Sequence, residues 1–337
     1  MNIRDIARLA NVTPGTVSKV LNNYPDISES TKQHILKIIE DNQYDPKANV
    51  RSSKTNPESN RIGLVIEGVY NGLYSIMNQM LSTRIHNAGY TIISFHDNFY
   101  VQDKTEKFSE LKAKMERDKL CALIYIGGNF EQVTQEDFDS LPCPTIFVNT
   151  FLPFHAENTN HSSVQVSHFE TAYAQMRYLI EKGHRNICTV ISSTIDNSVY
   201  ALRVNGYKAA LSRDKLEHNF DHFLESDYLV EKAHKALLTH LKMHPEISAV
   251  CSEADVMVPG ILRAIHDIGK IPGKDIDVIS FDGLEDLGYY VPSVTTFAQP
   301  LPDMVNHIDN LLFGLINKES KHQNIIFRPT FLKRESC

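Results

Sequence analysis

The sequence predicts a small all-α head followed by a larger α/β body built in two halves. Three observations predict this arrangement. Residues 1–22 have the pattern of two short helices joined by a tight polar turn. Residues 45–60 are polar and rich in Ser, Asn and Pro, which is typical of a linker. From residue 61 onward, apolar strands alternate with helices in two successive sets, and this predicts parallel sheets covered on both faces.

The helix pair of the head is predicted from its capping residues and apolar spacing. Ile6 and Ala10 lie on one face of a first helix that Asn11 is suited to end. Thr13 is a good N-cap, and Pro14 then occupies the first helical position, where a missing N–H costs nothing. The second helix would present a small polar face outward, formed by Gly15, Thr16, Ser18, Lys19 and Asn22. A helix-turn-helix inserts such a face into the DNA major groove, although an ordinary helical hairpin has the same local pattern.

The body is predicted to contain nine strands before a final crossing region. Strands of the first set are predicted at 61–68, 91–97, 121–128 and 144–150, with helices at 76–88, 104–117 and 131–138 between them. Strands of the second set are predicted at 163–166, 186–192, 222–226, 247–252 and 277–283, with helices ending at 183 and covering 199–211, 228–243 and 256–268. Each set is therefore expected to form one parallel sheet.

Composition limits the class of protein. The chain has 337 residues and a net charge of −7, but residues 1–60 are almost neutral, so the body carries the negative charge. An acidic body repels DNA, which favours a specific, dimer-dependent binder over a non-specific one. The five cysteines include no CxxC pair, so buried reduced thiols are expected. We find no membrane-spanning run and no signal-peptide core, and we expect a cytoplasmic protein without a membrane role.

The N-terminal segment IRDIARLANVTPGTVSKVLNNYPDISESTKQHILKIIEDNQYDPKA resembles the DNA-binding head of the lactose/galactose-repressor (LacI/GalR) family of bacterial transcription regulators. The resemblance runs through DIA, TVS, VLN, the DIS-E-T start of a third helix, Tyr44 and Pro46, and it continues to the end of the chain. It favours a helix-turn-helix over the simple hairpin. It also implies a two-lobed, periplasmic-binding-protein-like body of two parallel doubly wound sheets. The implied partners are a double-stranded DNA operator, a second copy of the chain in a homodimer, and a sugar-like small-molecule effector.

The resemblance also implies the domain limits. These are a helix-turn-helix domain over 1–45, a hinge over 46–60, an N-terminal lobe over 61–161 plus 294–320, and a C-terminal lobe over 162–293 plus 321–337. In this scheme the chain crosses back to the first lobe near 293–300 and returns to the second lobe in the strand at 327–336.

The predicted DNA contacts follow from the matched head and hinge. They are Thr13, Pro14, Gly15, Thr16, Ser18, Lys19, Asn22, Tyr44 and Arg51. Pro14 and Gly15 cannot offer a side-chain hydrogen bond to a base, so base readout is expected mainly from Lys19 and Thr16, with Thr13, Ser18 and Asn22 contacting phosphates. In the hinge, Ser53 replaces the leucine that family members insert between base pairs. Either Val50 takes part of that role or the DNA is bent less.

The effector site is predicted at the carboxyl ends of the strands, where open parallel sheets bind their ligands. The expected residues are Tyr74, Asn149, Arg203, Phe223, Asp255, Asp282 and Gln299. Arg203 lies in the family's S-x-x-x-x-R-x-x-G-Y pattern, Asp282 in FDG and Gln299 in QP. Structural roles are the alternatives: an ion pair for Arg203, a helix-start acid for Asp255 and the core for Phe223. A function is favoured slightly for Arg203 and Asp282 alone.

Four positions depart from the family pattern of the pocket. Asn149 and Ala254 replace residues that are often Asp and Asn, and Ser167 and His168 replace the family's D-N pair. We therefore expect an effector different from those of the best-known sugar repressors. His168 is either a ligand contact or a helix-start residue packed between the lobes.

Other functions are weighed against this interpretation. The sequence contains no GxSxG, Walker loop, HExxH, Rossmann glycine fingerprint or clustered metal ligands, so we expect no enzyme activity, no cofactor and no metal site. A secreted solute receptor would share the body fold, but the predicted head and the missing signal peptide argue against it. Control by a phosphorylated carrier protein in place of a small molecule stays open.

Overall fold

A computed structural model describes residues 3–21, 27–42, 60–67, 72–96, 104–130, 132–150, 152, 161–192 and 198–337. Five residues of the predicted DNA contacts and hinge lie outside this part of the chain, namely Asn22, Tyr44, Val50, Arg51 and Ser53, and so does the side chain of Ser18. Of the described cysteines, four are buried and Cys121 is half-buried, and all five are free thiols, as predicted. No helix in the described ranges is long and apolar enough to cross a membrane.

Three helices form the head, namely α1 (Ile3–Leu9), α2 (Pro14–Leu21) and α3 (Glu29–Asp41). Asn11 ends α1 in the left-handed conformation with φ of 53°. The Val12 N–H then donates to the Ala7 carbonyl at 2.9 Å, which is the bond of a Schellman cap. The three helices pack around one small apolar core, formed by Ile6, Ala7, Ala10, Val17, Val20 and Ile35.

The body alternates strands and helices as predicted. In chain order its elements are β1 (Arg61–Ile66), α4 (Gly72–Asn87), β2 (Thr91–His96), α5 (Lys104–Arg117), β3 (Ala122–Ile126), α6 (Gln135–Asp139), β4 (Thr145–Val148), β5 (His161–Val166), α7 (His168–Glu181), β6 (Ile187–Ile191), α8 (Ser198–Arg213), β7 (Phe223–Glu225), α9 (Val230–Met243), β8 (Ala249–Ser252), α10 (Val258–Asp267), β9 (Asp277–Asp282), β10 (Thr295–Ala298), α11 (Leu301–Ile316), β11 (Asn324–Phe327) and β12 (Thr330–Leu332). Short 3-10 turns at Glu217–His222, Asp255–Met257 and Glu285–Gly288 connect some of them.

Two six-stranded sheets organise the body. The first has the order β11-β5-β4-β3-β1-β2, and every neighbouring pair is parallel. The second has the order β12-β10-β9-β8-β6-β7 and is parallel except for β12, which runs antiparallel to β10. This confirms the predicted fold class of a helical head with two doubly wound sheets.

Apolar cores lie on both faces of each sheet. In the first lobe, α4 and α11 cover one face with residues such as Met77, Ile85 and Ile308, and an aromatic cluster around Phe130 and Phe138 covers the other. In the second lobe, α9 and α10 cover one face, and α7 and α8 cover the other. The strands are buried on both sides, which explains their continuous apolar sequences.

The sheets correct the predicted lobe membership of three segments. The strand at 163–166, predicted to open the second set, is part of β5 and pairs with β4 in the first sheet. The segment at 293–300, predicted to lie in the first lobe, contains β10, which pairs with β9 in the second sheet. The segment predicted to return at 327–336 starts in the first sheet, at the end of β11, and enters the second only with β12.

The chain therefore crosses between sheets after β5, after β10 and after β11. The sequence could not show this because strands of the two sheets have the same apolar pattern. The limits of the helix-turn-helix domain and the hinge stay predictions.

Candidate functional site

The second helix of the head has the cap and the faces that the sequence predicts. The Thr16 N–H donates to Thr13 Oγ1 at 3.2 Å, and Pro14 is the first residue of α2. Val17 and Val20 are buried against the other two helices. Thr13, Pro14, Gly15 and Lys19 are exposed and Thr16 is half-buried. The face opposite the head core is therefore open to a partner.

This outward face is small and polar. A Cβ built on Gly15 would meet only Thr13 Oγ1, at 3.7 Å, so nothing in the head requires glycine there. The Thr13 and Thr16 hydroxyls lie 2.9 Å apart and can hydrogen-bond to each other. On α1, Arg8 pairs with Asp5 at 3.3 Å, yet its side chain stays 80% exposed. The shape and the cations suit a DNA groove and its phosphates.

A second polar site lies in the body and is centred on the guanidinium of Arg203. This side chain is buried on α8, where its Nη1 donates to the Glu253 carbonyl at 2.7 Å and its Nε to His168 Nδ1 at 3.3 Å. The guanidinium carbon also lies 4.1 Å from the centre of the Phe281 ring, a cation–π arrangement. Its Nη2 is 3.9 Å from Asp282 Oδ1. The group is held on several sides inside the second lobe.

Hydrogen bonds continue from Asp282 into the first lobe. Gln299 Nε2 donates to Asp282 Oδ1 at 2.8 Å, and Asn149 Nδ2 donates to Gln299 Oε1 at 2.9 Å. Gln299 directly follows β10 of the second sheet, whereas Asn149 directly follows β4 of the first. Asp282 has φ of 119°, a conformation that costs a non-glycine residue about 1–3 kcal/mol. A strained residue is thus held where the two lobes meet.

Tyr74, on α4 of the first lobe, lies in the electric field of the same charges. Burial raises the pKa of its hydroxyl, Arg203 opposes this rise, and Asp282 adds to it. These couplings join Tyr74 to residues of the second lobe. Contacts therefore link four of the seven predicted effector residues, Asn149, Arg203, Asp282 and Gln299, and the charges of this group act on a fifth, Tyr74.

Three buried polar atoms in this cluster have no hydrogen-bond partner among the described residues. They are Asn149 Oδ1, His168 Nε2 and Glu253 Oε1. Burial, and then the nearby Arg203, hold the pKa of His168 well below its ordinary value, so the imidazole is neutral. An unpaired buried polar atom costs about 1–3 kcal/mol. These atoms therefore define a place where a polar ligand gains hydrogen bonds.

The other two predicted effector residues are placed differently. The Asp255 carboxylate accepts the Gly283 and Leu284 N–H groups at 2.6 and 2.7 Å and the Thr296 hydroxyl at 3.0 Å. Its oxygens are thus occupied in holding loops of the second lobe, and burial, then Asp282, raise the pKa of Asp255 to about 8.

Phe223 is the first residue of β7, opposite Thr189, and its ring lies 6.4 Å from that of Tyr207 in the core. The carboxyl ends of the strands lie further along the chain. Phe223 is thus half-buried and packs against the core of the second lobe, which supports its alternative, structural role.

Sequence reasoning missed Glu253 and Tyr228. Glu253 is fully buried one residue beyond β8, and its Oε2 accepts the Ser192 N–H at 2.6 Å. Burial raises the pKa of the Tyr228 hydroxyl, and Glu253 and Arg203 act on the same group. A charged residue directly after a buried strand was the available signal for Glu253. Tyr228 had none, because only the fold brings it near Arg203.

A helix-turn-helix head joined to a two-lobed body with a buried polar site defines a DNA-binding regulator that responds to a ligand. Residues 2–47 match the family described as "Bacterial regulatory proteins, lacI family", and residues 176–337 match the "Periplasmic binding protein-like domain". The chain is also 32% identical to the HTH-type transcriptional regulator MalR of Clostridium butyricum, over 100% of this chain and 99% of MalR. It belongs to the lacI family of bacterial regulatory proteins, and it is a transcription regulator, not an enzyme.

Solved structures agree with this fold. A complex of the transcriptional regulator CelR with cellobiose matches with a TM-score of 0.70 and 20% identity, and the match covers 100% of both chains. The lac repressor dimer bound to operator and the anti-inducer ONPF matches with a TM-score of 0.66 and 19% identity, over 100% of this chain and 98% of that one. Both matches show that this chain shares the fold of these proteins, with a head and a two-lobed body.

Proposed function

We propose that this regulator is a homodimeric repressor whose operator affinity is controlled by a sugar-like effector bound between its two lobes. The observation that carries the proposal is a chain of polar contacts that crosses from one lobe to the other. It consists of the ion pair of Arg203 with Asp282 and the hydrogen bonds from Gln299 to Asp282 and from Asn149 to Gln299. Buried atoms of Asn149, His168 and Glu253 that make no hydrogen bond to the described residues flank this chain of contacts. A ligand with several hydroxyl groups satisfies such a set.

The chemistry of the site favours a sugar or sugar derivative. Carboxylates accept hydrogen bonds from vicinal hydroxyls, side-chain amides both accept and donate them, and the Arg203 guanidinium adds a fork of donors. The site also has Tyr74 on its first-lobe side. The CelR structure contains cellobiose, and a LacI-family regulator of Enterococcus faecium was solved with bound ribose. These relatives support the ligand class without fixing the identity of the ligand.

Control follows from the position of the site between the lobes. An effector that binds one lobe arrangement better than the other shifts the population toward that arrangement. The bond between Asn149 and Gln299 is the contact that such a ligand would keep or replace. Because the chain crosses the lobe boundary after β5, β10 and β11, a change of lobe angle is transmitted through all three connections.

DNA recognition follows from the head and the dimer. Each head is proposed to place α2 in the major groove of one half-site, and two heads then read a pseudo-palindromic operator. The lac repressor dimer, which shares the fold, was solved bound to its operator. The proposed site of action is therefore bacterial DNA in the cytoplasm.

The test is a thermal-shift screen of the full chain against sugars, sugar phosphates and nucleosides. We expect at least one sugar to raise the melting temperature and to change binding to an operator selected from random DNA in a gel-shift assay. A selected DNA without two-fold symmetry would contradict the dimer. If no small molecule alters either readout while a phosphorylated carrier protein alters DNA binding, the effector proposal is wrong.

A further inference from the structure

Three histidines meet in the second lobe at a place that the DNA head and the interlobe site do not use. His222 ends the 3-10 turn before the edge strand β7, and His240 lies in the last turn of α9, with His244 directly after it. One ring nitrogen from each of the three lies within 4.8 Å of the other two. His222 and His240 are buried and His244 is half-buried. The sequence predicts no metal site because its metal-ligand residues are not clustered along the chain, whereas the fold brings these three together.

The ring geometry brings the nitrogens toward one point. His222 Nδ1 and His240 Nε2 lie 2.8 Å apart, and the ring centres of His240 and His244 lie 4.3 Å apart. His222 and His244 have ring centres 5.0 Å apart. In a tetrahedral zinc site with Zn–N bonds of about 2.0 Å, the nitrogens are separated by about 3.3 Å. Small side-chain rotations therefore convert the observed cluster into a set of three ligands.

The surroundings orient the outermost ligand. Glu246 Oε1 lies 3.2 Å from His244 Nδ1, so this carboxylate can hold the ring and leave Nε2 to face the cluster. A carboxylate behind a ligating histidine is a recurrent feature of metal sites because it fixes the tautomer and raises ligand basicity. The site also lies at the carboxyl end of α9, where the helix dipole favours a cation.

The cluster is accessible from solvent. His240 lines a surface groove together with Leu224, Glu225 and Met243, and Met243 is 63% exposed. The His244 side chain is itself 36% exposed, so an ion can approach the cluster from solvent without unfolding of the lobe.

We propose that His222, His240 and His244 form a binding site for one divalent transition-metal ion of the zinc class. Three imidazole ligands select zinc, nickel, copper or cobalt over magnesium or calcium. The bound ion ties β7, at the edge of the second sheet, to the end of α9.

The test uses the untagged full chain, freed of metal with a chelator and titrated with ZnCl2 by calorimetry. We expect one equivalent of Zn²⁺ to bind and the melting temperature to rise with added Zn²⁺. Glu246→Gln, which removes only the orienting carboxylate, should weaken binding about tenfold, and His244→Gln, which removes a ligand, should weaken it more. Spectra of the chain loaded with Co²⁺ should show nitrogen ligation that His244→Gln alters.

His234→Gln is the matched control. His234 lies on the same helix, is partly exposed and pairs with Asp267 at 2.8 Å, away from the cluster. Zn²⁺ affinity should be unchanged in this variant. Glu246 is exposed, so Glu246→Gln tests the site even if a histidine variant is unstable. Absence of stoichiometric binding, equal affinity in His244→Gln and wild type, or equal losses in His234→Gln and His244→Gln would each overturn the proposal.

Discussion

Lys19 is the residue on which the reading of DNA sequence depends most in the proposed complex. It lies exposed on α2, whose outward face otherwise begins with Pro14 and Gly15. Neither of these can hydrogen-bond to a base through its side chain, whereas a lysine can donate to the acceptor edge of guanine. The head thus concentrates its direct readout on few side chains.

Lys19→Ala should relax sequence preference. One good base contact contributes about 1–3 kcal/mol of discrimination, so the affinity ratio between operator and mutated operator should fall roughly tenfold or more. Gel shifts with both DNAs measure the ratio. Lys37→Ala, an exposed lysine on α3, is the control and should leave the ratio unchanged. Unchanged discrimination in Lys19→Ala would refute the assignment.

Arg203 stabilises the interlobe site by compensating two buried acids. Its guanidinium lies 4.0 Å from Glu253 Oε1 and 3.9 Å from Asp282 Oδ1. Arg203→Met should therefore lower the free energy of unfolding by about 3–5 kcal/mol, because it leaves buried charge without a partner. Urea unfolding measures the change.

A double variant separates this charge effect from lost packing. Arg203→Met combined with Asp282→Asn should recover part of the loss, since one unpaired acid is then removed. Arg263→Met, which breaks an exposed pair with Asp267, is the control and should cost no more than about 0.5 kcal/mol. If Arg203→Met lowers the free energy of unfolding by less than about 1 kcal/mol, Arg203 does not compensate the charges of these two acids.

At the scale of elements, Asp277 joins three parts of the second lobe. Asp277 is the first residue of β9. Its Oδ2 accepts a hydrogen bond at 2.5 Å from Lys182, the residue that directly follows α7. The same oxygen lies 2.8 Å from His184 Nε2, and the chain's last residue, Cys337, is 3.6 Å away through its sulfur. Burial raises the pKa of Asp277, but the bonds from Lys182 and His184 outweigh it, and the pKa lies below its ordinary value.

Asp277→Asn should therefore destabilise the protein in a pH-dependent way. A carboxyl group whose pKa is lowered by folding adds stability above its unfolded pKa of about 3.9, and this stability is lost as pH falls through the folded pKa. At pH 7 we expect a loss of roughly 1–3 kcal/mol relative to wild type. Urea unfolding of both proteins from pH 7 to pH 3 measures the difference between their free energies of unfolding, and this difference should become small at the acid end. Glu116→Gln, at an exposed position on α5, is the control and should unfold with the same free energy as wild type. A loss of stability in Asp277→Asn that does not change with pH would contradict the ion-pair explanation.

At the scale of the whole molecule, the proposed function divides between the head and the body. The head has its own apolar core, with Ile6, Val17 and Ile35 fully buried, and the body has its own cores in both lobes. Removal of residues 1–45 should abolish operator binding and leave the thermal shift by the effector unchanged. Gel shifts and thermal melting measure the two effects, and DNA binding that survives the deletion would refute the role of the head.

Much of the architecture was predictable because it depends on local patterns. The cap at Thr13, the stop at Asn11 and the apolar faces of the head are local, and the structure reproduces them. The alternation of strands and helices was also predictable, because strands covered on both faces carry unbroken apolar runs. Sheet membership was not predictable, since neither the strand at 163–166 nor the segment at 293–300 carries a sequence signal for the sheet that it joins.

By itself, the sequence determined the family, the head with its recognition helix, the strand–helix alternation and most members of the interlobe cluster. Only the tertiary structure packed Phe223 against the core, occupied the carboxylate of Asp255 with loop N–H groups, and brought Glu253 and Tyr228 near Arg203. It alone joined His222 to His240 and His244. The physical reason is that secondary structure follows from the spacing of neighbouring residues, whereas a site depends on which distant strand ends and helix ends the fold packs against each other.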